Sequence, residues 1–331
     1  TSRIEAVKND MLPFKFKTAK QKAIKRVDNL LAQVIQRLDF ESDYLILLAP
    51  TPAKKYIKNG YKLSWALVVG PQIKSGLLTS GTTKQLGLIT NLDILPTIYN
   101  YLGDDKQEEF TGQKIESIAS KGSIDYLNNL NEQIKTIFSW RPVVVKGFIV
   151  LQIVIILLAG TILIFKYKFF KVKSWIIYAI LTVNWLPVFF IFSKFFSHIS
   201  LINTILIWLG SSFLISYYIF QSDFFNKFLV ILIPNLLIIS TLIIDLWTGG
   251  RLLKVSILGY SPVVGARYYG IGNEYMGLLI GTTIVAITLF FELKGKIYSS
   301  LLFLMSILLI ITVGLPHLGS NFGGLISSTI T

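Results

Sequence analysis

From position 144 onward the chain is a succession of long apolar runs, near 144–165, 174–193, 201–220, 228–247, 275–292 and 298–315, with a seventh starting near 322. A helix needs about 20 residues to cross the roughly 30 Å of hydrocarbon in a bilayer, and these runs have that length. Lipid offers backbone groups no hydrogen-bond partner, so such runs must be helices that satisfy their own N–H and C=O groups. Residues 140–331 are therefore expected to form an all-α polytopic membrane domain with the lipid bilayer as its first partner. Composition agrees, since 53% of the 331 residues are hydrophobic and mean hydropathy is +0.61. The chain opens on Thr1 without a leader pattern and stops at Thr331 inside an apolar stretch, so it is expected to be a piece of a longer protein.

The net charge of +14 does not point to nucleic acid. Residues 1–139 carry 19 Lys/Arg against 14 Asp/Glu, and residues 140–331 carry 13 against 4, so much of the excess flanks the apolar runs. There it orients helices and meets anionic lipid. Lys166, Lys168, Lys171 and Lys173 lie between the first two runs, and Lys294 and Lys296 between the fifth and sixth. Placing both loops in the cytoplasm puts residues 1–139 outside the cell membrane, as an extracytoplasmic domain of a multi-pass protein. Cysteine is absent, which excludes disulfides and thiolate centres within this chain, and with only His198 and His317 to supply imidazole a multi-His metal site is not expected.

Residues 1–139 have a mixed α/β pattern. Ile24, Val27, Leu31, Val34, Ile35 and Leu38 recur at helical spacing and predict an amphipathic helix over 19–39 that covers a sheet. The continuous apolar runs in "DYLILLAP" and "LSWALVVGP" predict strands buried on both faces, and "LGLIT" a third. In "TNLDILPTIYNYLG" (90–103), Asp93 suits an N-cap, Pro96 the first turn and Gly103 the left-handed residue that ends a helix. The whole is expected to be one edge of an α/β sandwich.

"LSWALVVGPQIKSGLLTS" followed by "LGLITNLDILPTIYNYLG" resembles the C-terminal part of alkaline-phosphatase-superfamily domains, the fold of sulfatases and phosphoglycerol transferases. The resemblance covers roughly residues 19–120. It implies an extracytoplasmic domain acting on, or binding, a phosphorylated or lipid-linked envelope substrate, with a Ser or Thr nucleophile and divalent metals held by Asp and His. The chain departs from that pattern. "APTP" stands where the metal-binding "S-D-H-G" is expected, and "TSGTTKQ" lacks the expected His. Asp93, a tempting ligand, is better explained as a helix cap. No metal ligand is therefore assigned, the catalytic residues are unknown, and a divalent cofactor is expected only if its ligands lie upstream of Thr1. The competing expectation is a non-enzymatic or transport-like membrane protein whose outer domain is a degenerate binding module.

The membrane half carries its own polar constellation. The 33 residues "DLWTGGRLLKVSILGYSPVVGARYYGIGNEYMG" are glycine-rich and hold Asp245, Arg251, Arg267, Tyr268, Asn273 and Glu274, and "PHLGSNFGG" after the sixth run adds His317 and Asn321. Ionisable groups near membrane depth are costly and tend to face a bundle interior or an aqueous cavity, so these eight are the substrate-binding candidates, for an envelope lipid or polymer. The plainer account makes them interfacial aromatics and a headgroup-level ion pair. The two differ in geometry: a site requires the 248–274 loop to fold back on the 317–321 turn, with Arg267 or Glu274 within ion-pair reach of the other or of a polar partner from that turn.

Overall fold

The computed structural model describes residues 12–103, 110–164, 170–222, 227–263, 265, 267–294 and 299–330. These fall into two compact units, one of residues 1–80 and 89–123 and one of residues 81–88 and 124–331. The division precedes the compositional shift at Trp140, because a single helix runs unbroken from polar into apolar sequence.

In the first unit, helix α1 (Pro13–Ile35) forms where the 3.6-residue apolar spacing requires. None of its residues is buried, and Ile24, Val27, Leu30 and Val34 are exposed, so among the described residues it does not cover a sheet as expected. Strand β1 (Leu45–Leu48), the short helix α2 (Lys54–Lys58), β2 (Ala66–Val69) and β3 (Gly76–Ser80) follow. β1 pairs antiparallel with β2, Leu45 facing Val69, and β3 pairs antiparallel with a later strand β4 (Ile115–Ala119), Gly76 facing Ala119.

Two expectations are corrected here. The apolar runs at β1 and β2 do make strands, but in a two-stranded antiparallel ribbon that leaves Leu48 and Leu67 exposed, not in a sheet buried on both faces. "LGLIT" makes no strand: Gly87 has φ +79° and Leu88 N–H closes a turn onto the Gln85 carbonyl, and that reversal ends extended backbone before it can pair.

Helix α3 (Ile94–Tyr101) ends as its sequence requires, with Gly103 at φ +83° just past its last turn. Its start differs in detail. A 3-10 turn (Asn91–Asp93) precedes it, and the fully buried Asp93 accepts from Thr90 N–H at 2.8 Å, Ser80 Oγ at 2.7 Å and Gln113 N–H at 3.1 Å. Asp93 is therefore the reciprocal acid of a capping box rather than the N-cap itself, and it also ties β3 and the 110–113 segment to the helix start.

The second unit is helical. α4 (Ser123–Ile164) is followed by α5 (Phe170–Ile191), α6 (Leu201–Gln221), α7 (Lys227–Trp247), α8 (Asn273–Lys294), α9 (Ser299–Gly314) and α10 (Phe322–Ile330). Five of these helices are long and apolar enough to cross a membrane, within Ser123–Ile164, Ser174–Ile191, Leu201–Gln221, Phe228–Trp247 and Asn273–Glu292, as a multi-pass membrane protein requires. The sixth expected run forms α9, whose 16 described residues rise only about 24 Å, and the seventh forms the nine-residue α10. The bundle interior holds Ile191, Leu242, Leu279 and Val313, with Trp208 packed edge-on against Phe190 and Phe196 at 5.5 and 5.7 Å between ring centres. Buried hydroxyls return to backbone, as Ser216 Oγ does to the Ser212 carbonyl at 2.7 Å.

Candidate functional site

At one end of the bundle the loops after α5, α7 and α9 meet the start of α8. Asp245, at the close of α7, is only 5% exposed, and its two carboxylate oxygens accept from Leu252 N–H and Leu253 N–H, each at 2.9 Å. Between them the chain reverses through Gly249 and Gly250 at φ +98° and +68°, which only glycine adopts without strain. Asp245 is thus a clamp that holds the following turn, and its charge is already committed to N–H donors.

That turn carries Lys254, a residue sequence reasoning did not single out. It is 8% exposed and donates from Nζ to the Lys84 carbonyl at 2.5 Å, so the 81–88 segment and the 248–272 loop are joined within this unit. Burial lowers the Lys254 pKa to about 8; Asp245 opposes the shift, while Lys84 and Arg251 add to it. The Lys84 ammonium stands 4.0 Å from the centre of the Tyr269 ring. Lys194, after α5, donates to the Arg251 carbonyl at 3.2 Å, and burial lowers its pKa too, with Asp245 opposing and Arg251 adding to the shift. Arg251 itself is exposed.

The second half of the loop folds back on the turn after α9. Arg267 Nη1 donates to the Ile271 carbonyl at 2.7 Å and to the Ser320 carbonyl at 3.3 Å, and Ile271 N–H donates to the Gly319 carbonyl at 2.7 Å. Asn321, 3% exposed, donates to the Ile271 carbonyl at 3.1 Å and to Asn273 Oδ1 at 3.2 Å while accepting from Gly324 N–H at 2.9 Å. Gly270, at φ +80°, permits this approach, because a side chain there would strike the Gly319 carbonyl.

Arg267, Asn273 and Asn321 therefore come together as the site geometry required. Glu274 does not pair with Arg267: its Oε1 lies 2.5 Å from Arg141 Nη2, and Arg141 Nη1 donates to the Gly259 carbonyl. The reason is packing, since α4 presents Arg141 at the first turn of α8, while Arg267 is drawn to the carbonyls of 271 and 320. Tyr268 is half-buried in the loop. His317 is exposed on its turn and makes no hydrogen bond or ion pair among the described residues.

Arg141 and Lys254 are members of this polar cluster that spacing alone passed over. Both left a signal. Arg141 opens an apolar run beside Pro142, and Lys254 is a lone cation among Leu252, Leu253, Val255, Ile257 and Leu258, where lysine is rarely found without a purpose. No group of three or more His, Cys, Asp or Glu side chains converges among the described residues. Comparison with protein-family models, with curated proteins and with solved structures finds nothing that matches this chain.

Proposed function

We propose that the chain is a multi-pass membrane protein of the cell envelope that binds a phosphorylated or lipid-linked anionic substrate at the loop-covered end of its bundle, and that residues 1–139 form an extracytoplasmic unit of alkaline-phosphatase type. One observation carries the reading. Lys84, Arg141, Lys194, Arg251, Lys254 and Arg267 gather on α4 and the loops of the second unit, where Asp245 and Glu274 are the carboxylates bonded into the same cluster among the described residues. Both carboxylates are already engaged, Asp245 by backbone N–H groups and Glu274 by Arg141, which leaves a field that favours an anion. Asp93, saturated by hydrogen bonds, supports a version in which the first unit contributes binding rather than metal chemistry from its described residues.

The test is reconstitution of the full chain in nanodiscs that mix anionic and zwitterionic phospholipid, with bound lipid identified by native mass spectrometry. Anionic phospholipid should be retained in preference, the preference should weaken as salt rises, and Arg251→Glu combined with Lys194→Glu should reduce it. Equal retention of both lipid types by the unaltered protein would overturn the reading.

A further inference from the structure

Arg141 and Lys254 line one narrow, half-open cavity in the second unit, together with Tyr260 and Ser261. Its remaining wall is largely apolar, with Ile137 and Phe138 contributed by α4. Tyr260 is 9% exposed, and neither its hydroxyl nor the buried Ser261 hydroxyl has a hydrogen-bond partner among the described residues. Buried polar groups are nearly always paired, and orphans call for an explanation. The cations retain capacity as well. The Arg141 guanidinium has more N–H donors than its bonds to Glu274 and Gly259 use, and the Lys254 ammonium keeps donors beyond the one given to the Lys84 carbonyl.

We propose that this cavity is a binding site for a single phosphoryl group, held by Arg141, Lys254 and the Tyr260 and Ser261 hydroxyls. The proposal rests on the anion-binding reading above and gives it an address. Each candidate group donates, none carries negative charge, and they come from two separate segments of chain, one on α4 and one on the 248–272 loop. A tetrahedral phosphate monoester or diester offers enough acceptor oxygens in different directions to meet all of them, which a planar carboxylate does not. The apolar wall lowers the local dielectric and strengthens these charge-assisted bonds. It also suits the ester carbon of a lipid headgroup. The cavity is too narrow for a nucleotide or a sugar chain. Burial raises the Tyr260 pKa far above its ordinary value, so its hydroxyl remains a donor at any physiological pH.

The experiment uses the full chain in two arms. In lipid-depleted detergent, inorganic phosphate is titrated and followed by thermal shift. In nanodiscs, retention of phosphatidylglycerol against phosphatidylcholine is read by native mass spectrometry. A saturable response in the first arm identifies free phosphate as a ligand, retention in the second alone identifies a lipid headgroup, and either supports the proposal if Tyr260→Phe and Lys254→Gln each weaken it about tenfold or more, the effect of losing one hydrogen bond to a charged group. Tyr260→Phe removes one oxygen and keeps the ring, so an unchanged melting temperature without ligand guards against simple unfolding. If both variants bind as the unaltered protein does while Arg251→Glu with Lys194→Glu loses binding, this cavity is not the site although the broader reading stands. If no arm shows binding, both fall.

Discussion

At the residue scale, charge is placed by its partners. The Arg141–Glu274 pair is only partly buried, with side chains 24% and 47% exposed, and such pairs contribute about 0 to 1 kcal/mol. Its importance is positional, since it holds a guanidinium at the mouth of a cavity. Lys254 has the opposite balance: burial disfavours its charged form, so its pKa sits near 8 against the ordinary 10.5. Between those values the unfolded chain binds more protons than the folded one, so stability should rise with pH from about 8 to 10.5 and lose that contribution below 8. Asp245, Lys84 and Arg251 act on this titration, and Arg141 and Tyr260 share its cavity. Thermal unfolding in detergent at pH 7.5 and 9.5 checks it: the unaltered protein should gain up to a few kcal/mol across the interval, and Lys254→Met should flatten the response. A slope unchanged in the variant would assign the effect to another group. Phosphate binding should move the other way, weakening as Lys254 loses its proton.

At the element scale, the loop between α7 and α8 is a built platform rather than a tether. Asp245 clamps its first half, and its second half is stitched to the turn after α9 through Ile271, Arg267 and Asn321. Gly270 is the weak point of that seam, because its φ of +80° and its contact with Gly319 both exclude a side chain. Gly270→Ala should therefore lower stability by roughly 1 to 3 kcal/mol, the usual range for strain of this kind, and should expose the 248–272 loop to limited proteolysis while the apolar helices stay protected. Wild-type resistance in the variant would show that the seam does not hold the loop. The corresponding element of the first unit is the start of α3, where the Asp93 carboxylate gathers Thr90, Ser80 and Gln113. The helix and its stop were legible in "DILPTIYNYLG", because caps and the terminal glycine act over a few residues. That Asp93 reaches Ser80 and Gln113 was not legible, because those donors lie 13 and 20 positions away.

At the scale of the whole molecule, the proposed topology rests on lysines. Positions 165–169 and 295–298, which hold Lys166, Lys168 and Lys296, lie outside the described residues, so the orientation stands on the positive-inside rule alone. The proposed orientation, with the first unit extracytoplasmic, is open to a direct test. The chain has no cysteine, so one introduced thiol reports without background. Asp104 is one position for it but lies outside the described residues; Leu102, 79% exposed at the end of α3, is a described alternative. An impermeant maleimide should label the Asp104→Cys or Leu102→Cys protein in intact cells. Labelling that requires lysis would invert the topology and place the bundle's cation-rich end in the cytoplasm.

The sequence by itself determined the apolar helices, because membrane-crossing depends on length and hydropathy, which are local sums, and it marked Arg267, Asn273 and Asn321 because ionisable and amide groups at helix mouths are rare enough to stand out. Strand partners were left to tertiary structure. Apolar runs such as "LILL" and "ALVV" are compatible with either a sheet buried on both faces or an antiparallel ribbon, and only pairing chooses between them. The identity of Glu274's partner was decided in the same way. Arg141 and Arg267 carry the same charge, and the choice fell to the helix whose packing brings a guanidinium within 2.5 Å, across 133 positions of chain that no local pattern spans.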